Sequence, residues 1–223
     1  MKKMEYIKDG GLQYPVDYGD VWGCGSSILG CYDIDSGDAL KFFTEHGGAD
    51  VAYVDPPWNK GNATTFRGKA GLNQDVDFET FLENLMDILK LVKRDVFIEM
   101  GVKTEATLHK TIERKGGSVL ERFDTKYYRT KDSTLTHCSF SGDYSDIPDF
   151  TGMWDRKIPS YAIEAVSTDG ETVLDCCTGL GLTWRSSERL KRKFLGTELS
   201  PNRCSASLYG VFKINGEKPI KIK

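Results

Sequence analysis

The pattern of apolar and polar positions predicts strands and helices that alternate along the chain. Short runs rich in β-branched and aromatic residues are typical of strands; they occupy 28–34, 49–54, 95–101, 118–123, 137–140, 172–175 and 194–198. Apolar residues at helical spacing occupy 39–45, 78–92, 104–114, 160–167 and 184–191. Because the two kinds of element alternate, we predict an α/β fold. It would be one domain over 1–223 with a mostly parallel, doubly wound sheet and an antiparallel edge strand.

Two segments lack this periodicity. Residues 1–27 are polar and glycine-rich for most of their length, which predicts an irregular N-terminal segment. Residues 59–77 are rich in Asn, Lys, Gly and Thr. A loop of about this length without its own secondary structure is more often functional or mobile than a simple connection. We therefore predict that 59–77 closes over a site formed near Trp58. A flexible surface excursion is the alternative.

Composition narrows the class of protein. The 223 residues suffice for one α/β domain, and apolar and charged contents of 39% and 28% are ordinary for a soluble enzyme. No apolar run approaches a membrane span, and six cysteines without a C-x-x-C pair argue against a zinc site and a disulfide framework. We therefore expect a cytoplasmic protein with reduced thiols, no metal and no membrane partner. The net charge of −3 argues against nucleic-acid binding by overall charge, but not against a basic face.

The candidate chemistry centres on Asp55-Pro56-Pro57-Trp58, which directly follows the strand at 49–54. Ligands bind at the carboxyl ends of strands in open α/β sheets, and two prolines force the backbone out of the sheet there. Asp55 and the Pro56 carbonyl can accept the two hydrogens of an aromatic amine, while Trp58 stacks on its ring. These four residues are the predicted catalytic residues, and methylation of an aromatic amino group suits them. A plain strand end with a stiff turn is the alternative.

A second motif begins at Asp175, where a strand ends and a glycine-rich turn leads into a helix. Gly179 and Gly181 let the backbone approach a ligand, and Thr183 follows at the start of the helix. Glu198 ends the next strand, about 17 to 20 residues on, where an acid can accept both ribose hydroxyls of a nucleoside. The Gly-Lys-Thr signature of a phosphate loop is missing, which favours a cofactor without a pyrophosphate, such as S-adenosylmethionine (SAM). Asp175 would then lie near its amino-acid part; a tight strand-to-helix turn is the alternative.

Together the two motifs resemble those of SAM-dependent amino-methylating DNA methyltransferases. Asp175-x-x-x-Gly179-x-Gly181-x-Thr183 is similar to the family's Asp-Pro-Phe-x-Gly-Ser-Gly-Thr-Thr motif, and 194–199 to its segment with the ribose-binding acid. The Asp-Pro-Pro-Trp stretch matches the catalytic motif, which comes first, as in the permuted β-class order. The resemblance spans roughly residues 28–208. It implies a Rossmann-like domain, SAM as cofactor, and the N6 amine of a flipped adenine in DNA as acceptor.

Two shorter segments resemble further parts of the same family. Residues 157–159 are a partial echo of a His-Pro-Thr-Gln-Lys-Pro segment that precedes the cofactor motif, and 36–40 resemble a Gly-Asp-Ser-Leu segment. The resemblance therefore adds Lys157 and Asp38 to the predicted cofactor-binding residues.

The sequence also departs from the family pattern. Cys176 and Cys177 stand where the family has Pro-Phe, and Trp58 stands where Tyr is commoner. Because Asp-Pro-Pro-Trp also occurs in the eukaryotic mRNA adenine methyltransferase family, adenine in RNA is an alternative substrate, as is the N4 amine of cytosine in DNA. A protein amide is more distant. A catalytically inactive partner subunit that keeps only the fold is the alternative from another class of protein.

The residues predicted to contact nucleic acid fall into two groups. One follows the catalytic motif and comprises Asn59, Lys60 and Arg67. The other alternates basic and aromatic residues, which suits phosphate contact and base stacking; it comprises Lys126, Tyr127, Tyr128 and Arg129. An exposed hairpin explains the second group equally well. Little room remains for a target-recognition region, so a homodimer or a partner subunit that supplies specificity is compatible with the sequence.

Overall fold

The computed structural model describes residues 14–223, which form one nine-stranded sheet with helices packed on it. The strands are β1 (Val21–Cys24), β2 (Ser27–Gly30), β3 (Val51–Val54), β4 (Asp95–Met100), β5 (Ser118–Tyr127), β6 (Lys131–Ser139), β7 (Thr172–Asp175), β8 (Lys193–Thr197) and β9 (Ile220–Lys221). The helices are α1 (Asp38–Glu45), α2 (Lys60–Lys69), α3 (Phe78–Leu89), α4 (Glu105–Arg114), α5 (Ile158–Val166), α6 (Leu182–Arg189) and α7 (Pro201–Asn215). A short 3-10 helix, Ile34–Ser36, lies between β2 and α1.

Five parallel strands form the centre of the sheet, in the order β4, β3, β7, β8 and β2. β6 and β5 extend one side as an antiparallel hairpin, and β1 and β9 extend the other side. The predicted α/β fold with a mostly parallel sheet is confirmed. On each side, however, one strand (β6 or β1) runs antiparallel to the centre and a second (β5 or β9) pairs antiparallel with it, where the sequence predicted one edge strand.

Both faces of the central sheet are buried, which accounts for the unbroken apolar runs of its strands. On β3, Ala52 and Val54 belong to a core that includes α1, α3 and α4, whereas Val51 and Tyr53 belong to a second core with α5. Successive side chains of a strand point to opposite faces, so one strand serves both cores. Leu85 of α3 has no exposed surface, and its truncation to Ala would cost about 2–5 kcal/mol of stability.

The helix boundaries follow from local capping. The Asp77 side chain accepts hydrogen bonds from the backbone NH groups of Glu79 and Thr80, and α3 therefore begins at Phe78, as its spacing predicts. At α6, the buried ring of Trp184 stacks on Phe194 of β8 with 5.0 Å between ring centres, which fixes the helix against the sheet.

Two segments predicted to be irregular contain regular structure. Lys60–Lys69 forms α2, so the predicted loop at 59–77 is wrong over its first half. The helix has one buried residue, Ala63, and its apolar periodicity is too weak to read from the sequence. Within 1–27, β1 and the first residue of β2 are strand, and residues 1–13 lie outside the described part. The C-terminal α7 and β9 also go beyond the predicted elements.

Among residues 14–223, no helix combines the length and the apolar character needed to cross a membrane. In the same part of the chain, no group of three or more His, Cys, Asp or Glu side chains is arranged to hold a metal ion. All six cysteines are unpaired.

Candidate active site

The sheet brings the two predicted motifs together at one edge. Asp55 follows β3, Asp175 is the last residue of β7, and Glu198 follows β8; these three strands are parallel neighbours. The carboxyl ends of parallel strands open at the same edge of a sheet, and this edge is where open α/β sheets bind ligands. The predicted catalytic acid and two predicted cofactor-binding acids therefore lie on the ligand-binding edge.

Asp55 is held by two aromatic side chains. The indole Nε1 of Trp58 donates a hydrogen bond to Oδ1 across 3.0 Å, and the hydroxyl of Tyr127 donates to Oδ2 across 3.4 Å. Each carboxylate oxygen keeps a further lone pair, so the group can still accept hydrogens from a ligand. Tyr127, predicted to contact nucleic acid, is thus a direct partner of the predicted catalytic carboxylate.

The two prolines connect β3 to α2 through a packed turn. Pro56 is buried and Pro57 is half-buried. The main-chain oxygen of Trp58 accepts a hydrogen bond from Oγ1 of Thr104 across 2.6 Å. The turn is therefore packed against the protein and tied at Trp58 to the start of α4.

The ring of Trp58 is covered in this conformation, with 7% of the residue exposed. Tyr127 packs edge-on, with 4.7 Å between ring centres, and Nζ of Lys131 lies 4.4 Å from the ring centre. Gly101 approaches so closely that a Cβ there would lie 2.8 Å from Cε3 of Trp58. The predicted stacking of Trp58 on a flipped base therefore requires the hairpin of β5 and β6 to shift.

The surroundings of Asp55 favour its protonated form more than water does. Burial raises its pKa to about 7, and the negative charge of Asp155 acts in the same direction. The hydrogen bonds from Trp58 and Tyr127 and the positive charge of Arg203 oppose this rise. A carboxyl group with a pKa near neutrality can accept hydrogen bonds and also take up a proton at physiological pH.

Two further acids lie behind Asp55, and no motif in the sequence marks them. Glu99 of β4 is 2% exposed and accepts hydrogen bonds from the hydroxyls of Tyr53, across 2.9 Å, and Ser133, across 3.3 Å. Burial and the charge of Asp55 raise the pKa of Glu99 to about 9. Asp155 is 6% exposed, and its buried Oδ1 receives no hydrogen bond from the described residues. A hydrogen-bond donor at this oxygen would stabilise the protein, because a buried acceptor without a donor carries a free-energy penalty.

On the cofactor side, Glu198 is fixed by backbone donors. Its Oε2 accepts a hydrogen bond from the NH of Gly179 across 2.7 Å, and its Oε1 accepts one from the NH of Ser200 across 2.9 Å. Gly179 and Gly181 have φ angles of 57° and 78°, which favour glycine. A Cβ on Gly181 would lie 2.9 Å from Oγ of Ser207 in α7, so the turn also requires glycine for close packing.

Asp175 and Thr183 lie next to this turn. Oδ1 of Asp175 accepts a hydrogen bond from the NH of Cys177 across 2.9 Å. Burial raises the pKa of Asp175 to about 7, and the hydrogen bond from the Thr183 side chain opposes the rise. The predicted cofactor residues of the second motif therefore form one connected group with Glu198.

The two residues added by shorter resemblances are exposed and have their own local surroundings. Asp38 is exposed on the first turn of α1, where its backbone NH donates to Oγ of Ser36. Lys157 is exposed at the start of α5. The structure records no contact from either side chain to the glycine turn within the described residues, and their cofactor role stays a prediction.

Helix α2 spans the mouth of the site. Nη1 of Arg67 lies 2.6 Å from Oδ2 of Asp33 and 3.1 Å from Oδ2 of Asp35, in the segment that follows β2. The ring of Phe66 packs against the guanidinium of Arg203, whose centre is 4.5 Å from the ring centre. Nη1 of Arg203 in turn lies 4.0 Å from where a Cβ of Gly179 would be. The first half of 59–77 is therefore a helix close to the glycine turn, and its covering role stays a prediction.

The predicted nucleic-acid contacts have different surroundings. Arg67 is turned inward by its ion pairs, with 15% of its side chain exposed, which disfavours the predicted contact. Asn59 caps α2 by accepting a hydrogen bond from the NH of Asn62, and Lys60 is exposed beside it. Lys126 pairs with Asp132 across 2.5 Å. The other members of the second group, Tyr128 and Arg129, are exposed at the tip of the hairpin.

Comparisons with known proteins identify the fold. No protein-family profile matches the chain, and no curated protein matches it in sequence. Three similar solved structures are M1.HpyAVI bound to SAM, TTHA0409 of Thermus thermophilus bound to SAM, which is provisionally described as a DNA modification methylase, and the cytosine-N4-specific PvuII DNA methyltransferase.

Their sequence identities to this chain are 12%, 18% and 13%, and their TM-scores are 0.60, 0.63 and 0.63. The matches cover 82%, 83% and 86% of this chain and 98%, 93% and 89% of the respective neighbours. The chain therefore has the fold of these three proteins over most of its length.

Proposed function

We propose that this protein transfers a methyl group from SAM to the N6 amine of an adenine that has been flipped out of DNA. The observation that carries the proposal is the placement of Asp55 and Pro56 at the tip of β3, beside the glycine turn of β7 and Glu198 of β8. The residues predicted to bind the amine and those predicted to bind the nucleoside thus adjoin each other at one edge of the sheet, which supports the proposal.

The residues of the second motif fit SAM. Glu198 uses one lone pair of each oxygen on backbone NH groups and keeps others for the two ribose hydroxyls. Because Gly179 and Gly181 carry no side chain, the backbone of the turn presents no side-chain atoms at these positions that would exclude a ligand. Asp175 offers a negative charge for the amino-acid part, and Lys157 and Asp38 stay predicted contacts. When bound, SAM supplies an electrophilic methyl group on a positively charged sulfur.

On the substrate side, Asp55 and the Pro56 carbonyl accept the two hydrogens of the amine. These bonds favour a pyramidal nitrogen whose lone pair points towards the cofactor, so orientation and electrostatics lower the barrier. The nitrogen gains a methyl group and must lose one proton. Asp55, with a pKa near 7, can take that proton at physiological pH.

An adenine in a duplex cannot reach this pocket, so it must leave the stack. Trp58 would stack on the flipped base once the hairpin of β5 and β6 has shifted. Asn59, Lys60, Lys126, Tyr128 and Arg129 would contact the flanking strand, and α2 would close the site. We expect the protein to act in the cytoplasm, where unpaired cysteines are stable. A homodimer or a partner subunit would supply sequence specificity.

Two other amine substrates would fit the same site. The N4 amine of cytosine is favoured by the likeness to the cytosine-N4-specific PvuII enzyme. Adenine in RNA is favoured by Trp58, because the Asp-Pro-Pro-Trp form also occurs in mRNA adenine methyltransferases.

The test is transfer of a tritiated methyl group from SAM to unmethylated genomic DNA and to total RNA, followed by nucleoside mass spectrometry. Label in N6-methyladenine of DNA alone supports the proposal. Label in N4-methylcytosine or in RNA would change the proposed substrate but leave the assignment of the site residues in place. A protein that binds SAM yet labels neither nucleic acid would contradict the proposal.

A further inference from the structure

The tip of the hairpin of β5 and β6 lies at the rim of the candidate active site. The last paired residues of the hairpin are Tyr127 and Lys131, so the tip consists of residues 128–130. Tyr127 donates its hydroxyl hydrogen to Asp55, and Nζ of Lys131 lies over the ring of Trp58. Both strands of the hairpin are therefore attached to the predicted catalytic motif at the residues that flank the tip.

Tyr128 presents an aromatic ring to solvent at this tip. The residue is 64% exposed, more than the other exposed tyrosines of the described chain, which are Tyr18, Tyr144 and Tyr161. Its ring contacts Tyr127 edge-on, with 4.5 Å between ring centres and 70° between ring planes. Tyr127 thus faces inward to Asp55, while its neighbour Tyr128 projects outward from the same rim.

The backbone of the tip is strained in a way that glycine would relieve. Tyr128 and Arg129 have φ angles of 47° and 66°, and among the described residues Lys191 is the one other non-glycine residue with a positive φ. A turn with two positive φ angles in succession favours Asn-Gly or Gly-Gly. Strain of this kind persists mainly where the side chains are needed, which motivates a search for their function.

Two cationic side chains, Arg129 and Lys131, belong to the same end of the hairpin as Tyr128. The guanidinium of Arg129 stacks on Trp154, with its centre 4.3 Å from the ring centre, and the ammonium of Lys131 lies 4.4 Å from the centre of the Trp58 ring. These stacking contacts position the two cations without neutralising them, although Asp132 neutralises the nearby Lys126. The tip therefore carries an exposed aromatic ring next in sequence to a cation, a combination that suits base stacking together with phosphate contact.

We propose that Tyr128 is a wedge that enters the DNA duplex and fills the space left by the flipped base, with Arg129 on an adjacent phosphate. The inference rests on the proposed function. Removal of a base breaks stacking on both sides, and an inserted side chain offsets part of that loss. Tyr127 donates to Asp55, and the proposed function assigns Trp58 to the flipped base itself, so Tyr128 is the aromatic residue at this rim that remains available to the duplex.

The test compares Tyr128→Ala with Tyr144→Ala, a matched change at another exposed tyrosine. Methyl transfer is measured on a duplex, on the same duplex with a mismatch at the target, and on the single strand. We expect Tyr128→Ala to lower the rate on the duplex by about tenfold or more and to leave the single-strand rate near the wild-type value. The mismatched duplex should fall between these limits. Tyr128→Phe should retain most of the duplex rate, because the ring and not the hydroxyl inserts.

A second readout does not require catalysis. A duplex pool with one 2-aminopurine at the target position brightens when that base leaves the stack, and the wild-type protein should cause a larger increase than Tyr128→Ala. Equal rates of the variant and the wild type on the duplex, or an equal loss on all three substrates, would overturn the wedge. A wild-type protein that brightens the pool through Tyr128 but does not methylate the matching duplexes with adenine at the target position would overturn the proposed function alone. A protein that does neither would overturn both.

Discussion

The indole NH of Trp58 donates a hydrogen bond to the carboxylate of Asp55 across 3.0 Å, within the four-residue motif that the sequence singles out. The bond gives Trp58 a role beyond stacking, because a donor stabilises the ionised carboxylate and lowers its pKa. The acceptor strength of Asp55 is therefore set partly by its own motif and partly by residues from distant parts of the chain.

The Trp58→Phe variant should make Asp55 harder to ionise. Phenylalanine keeps an aromatic ring but cannot donate, so the pKa of Asp55 should rise above its value of about 7. Because the ionised form is the acceptor for the amine, the rise of kcat/KM with pH should shift upward by about one unit, the usual size of such an effect. A pH–rate profile that is unchanged relative to wild type would contradict this role of the indole NH.

The Asp155→Asn variant should act in the opposite direction. Removal of the neighbouring negative charge lowers the pKa of Asp55, so activity should persist to lower pH. The measurement is the same pH–rate profile, with Asp149→Asn as a control at an exposed acid. A shift of the same sign as that of Trp58→Phe would show that Asp155 does not act on Asp55 through its charge.

Glu99 makes stability depend on pH. Its pKa is raised from 4.5 to about 9, so the folded state retains a proton that the unfolded state loses above its own, lower pKa. Stability is therefore highest at low pH for this group and falls as pH rises from about 4.5 towards 9, by up to about 1.4 kcal/mol per pH unit.

The Glu99→Gln variant should reduce that slope, because glutamine cannot ionise and its oxygen can still accept from Tyr53. Urea unfolding at pH 6 and pH 8 measures the effect. The wild type should lose more stability than Glu99→Gln between these two values. An equal decrease in the free energy of unfolding of both proteins between pH 6 and pH 8 would show that Glu99 does not hold its proton in the folded protein.

Gly181→Ala tests the close approach of the glycine turn to α7. Alanine there is strained by a φ of 78°, and its Cβ would lie 2.9 Å from Oγ of Ser207. We expect a loss of about 1–3 kcal/mol of stability and weaker SAM binding. Gly170→Ala is the matched control, since Gly170 has a φ of 83° but no atom within 4 Å of an added Cβ. It should lose stability without changing the Kd for SAM; equal SAM affinity of both variants would contradict the assignment.

The parts of the site that the sequence predicts are those with local signals. Asp55 and Glu198 each follow an apolar strand directly, and the glycines between β7 and α6 mark a turn. Parallel strand pairing then brings these segments together, as the Rossmann-like resemblance implies. The two motifs meet at this edge of the sheet whichever of them comes first along the chain, so their permuted order does not affect the prediction.

The rest of the site depends on contacts between distant segments. Glu99 and Tyr53 lie within apolar strand runs, where one polar side chain is not a signal, and the contact of Tyr127 with Asp55 arises only when β5 folds back onto β6. Helix α2 escapes prediction because it has little apolar surface and is fixed instead by the ion pairs of Arg67 and the packing of Phe66 on Arg203. Ion pairs and packing contacts between distant residues leave no repeating pattern of apolar positions along the chain, so the sequence pattern does not reveal them.

The most direct test of the account is single-turnover methyl transfer by Asp55→Ala, measured together with the Kd for SAM. We expect the rate to fall by about a thousandfold or more while the Kd stays within about threefold of wild type, since in the proposed function Asp55 orients the amine and does not hold the cofactor. The transfer rate of Asp55→Asn should lie between those of Asp55→Ala and the wild type, because the amide oxygen accepts a hydrogen bond but cannot take the proton. Transfer by Asp55→Ala at the wild-type rate would contradict the account.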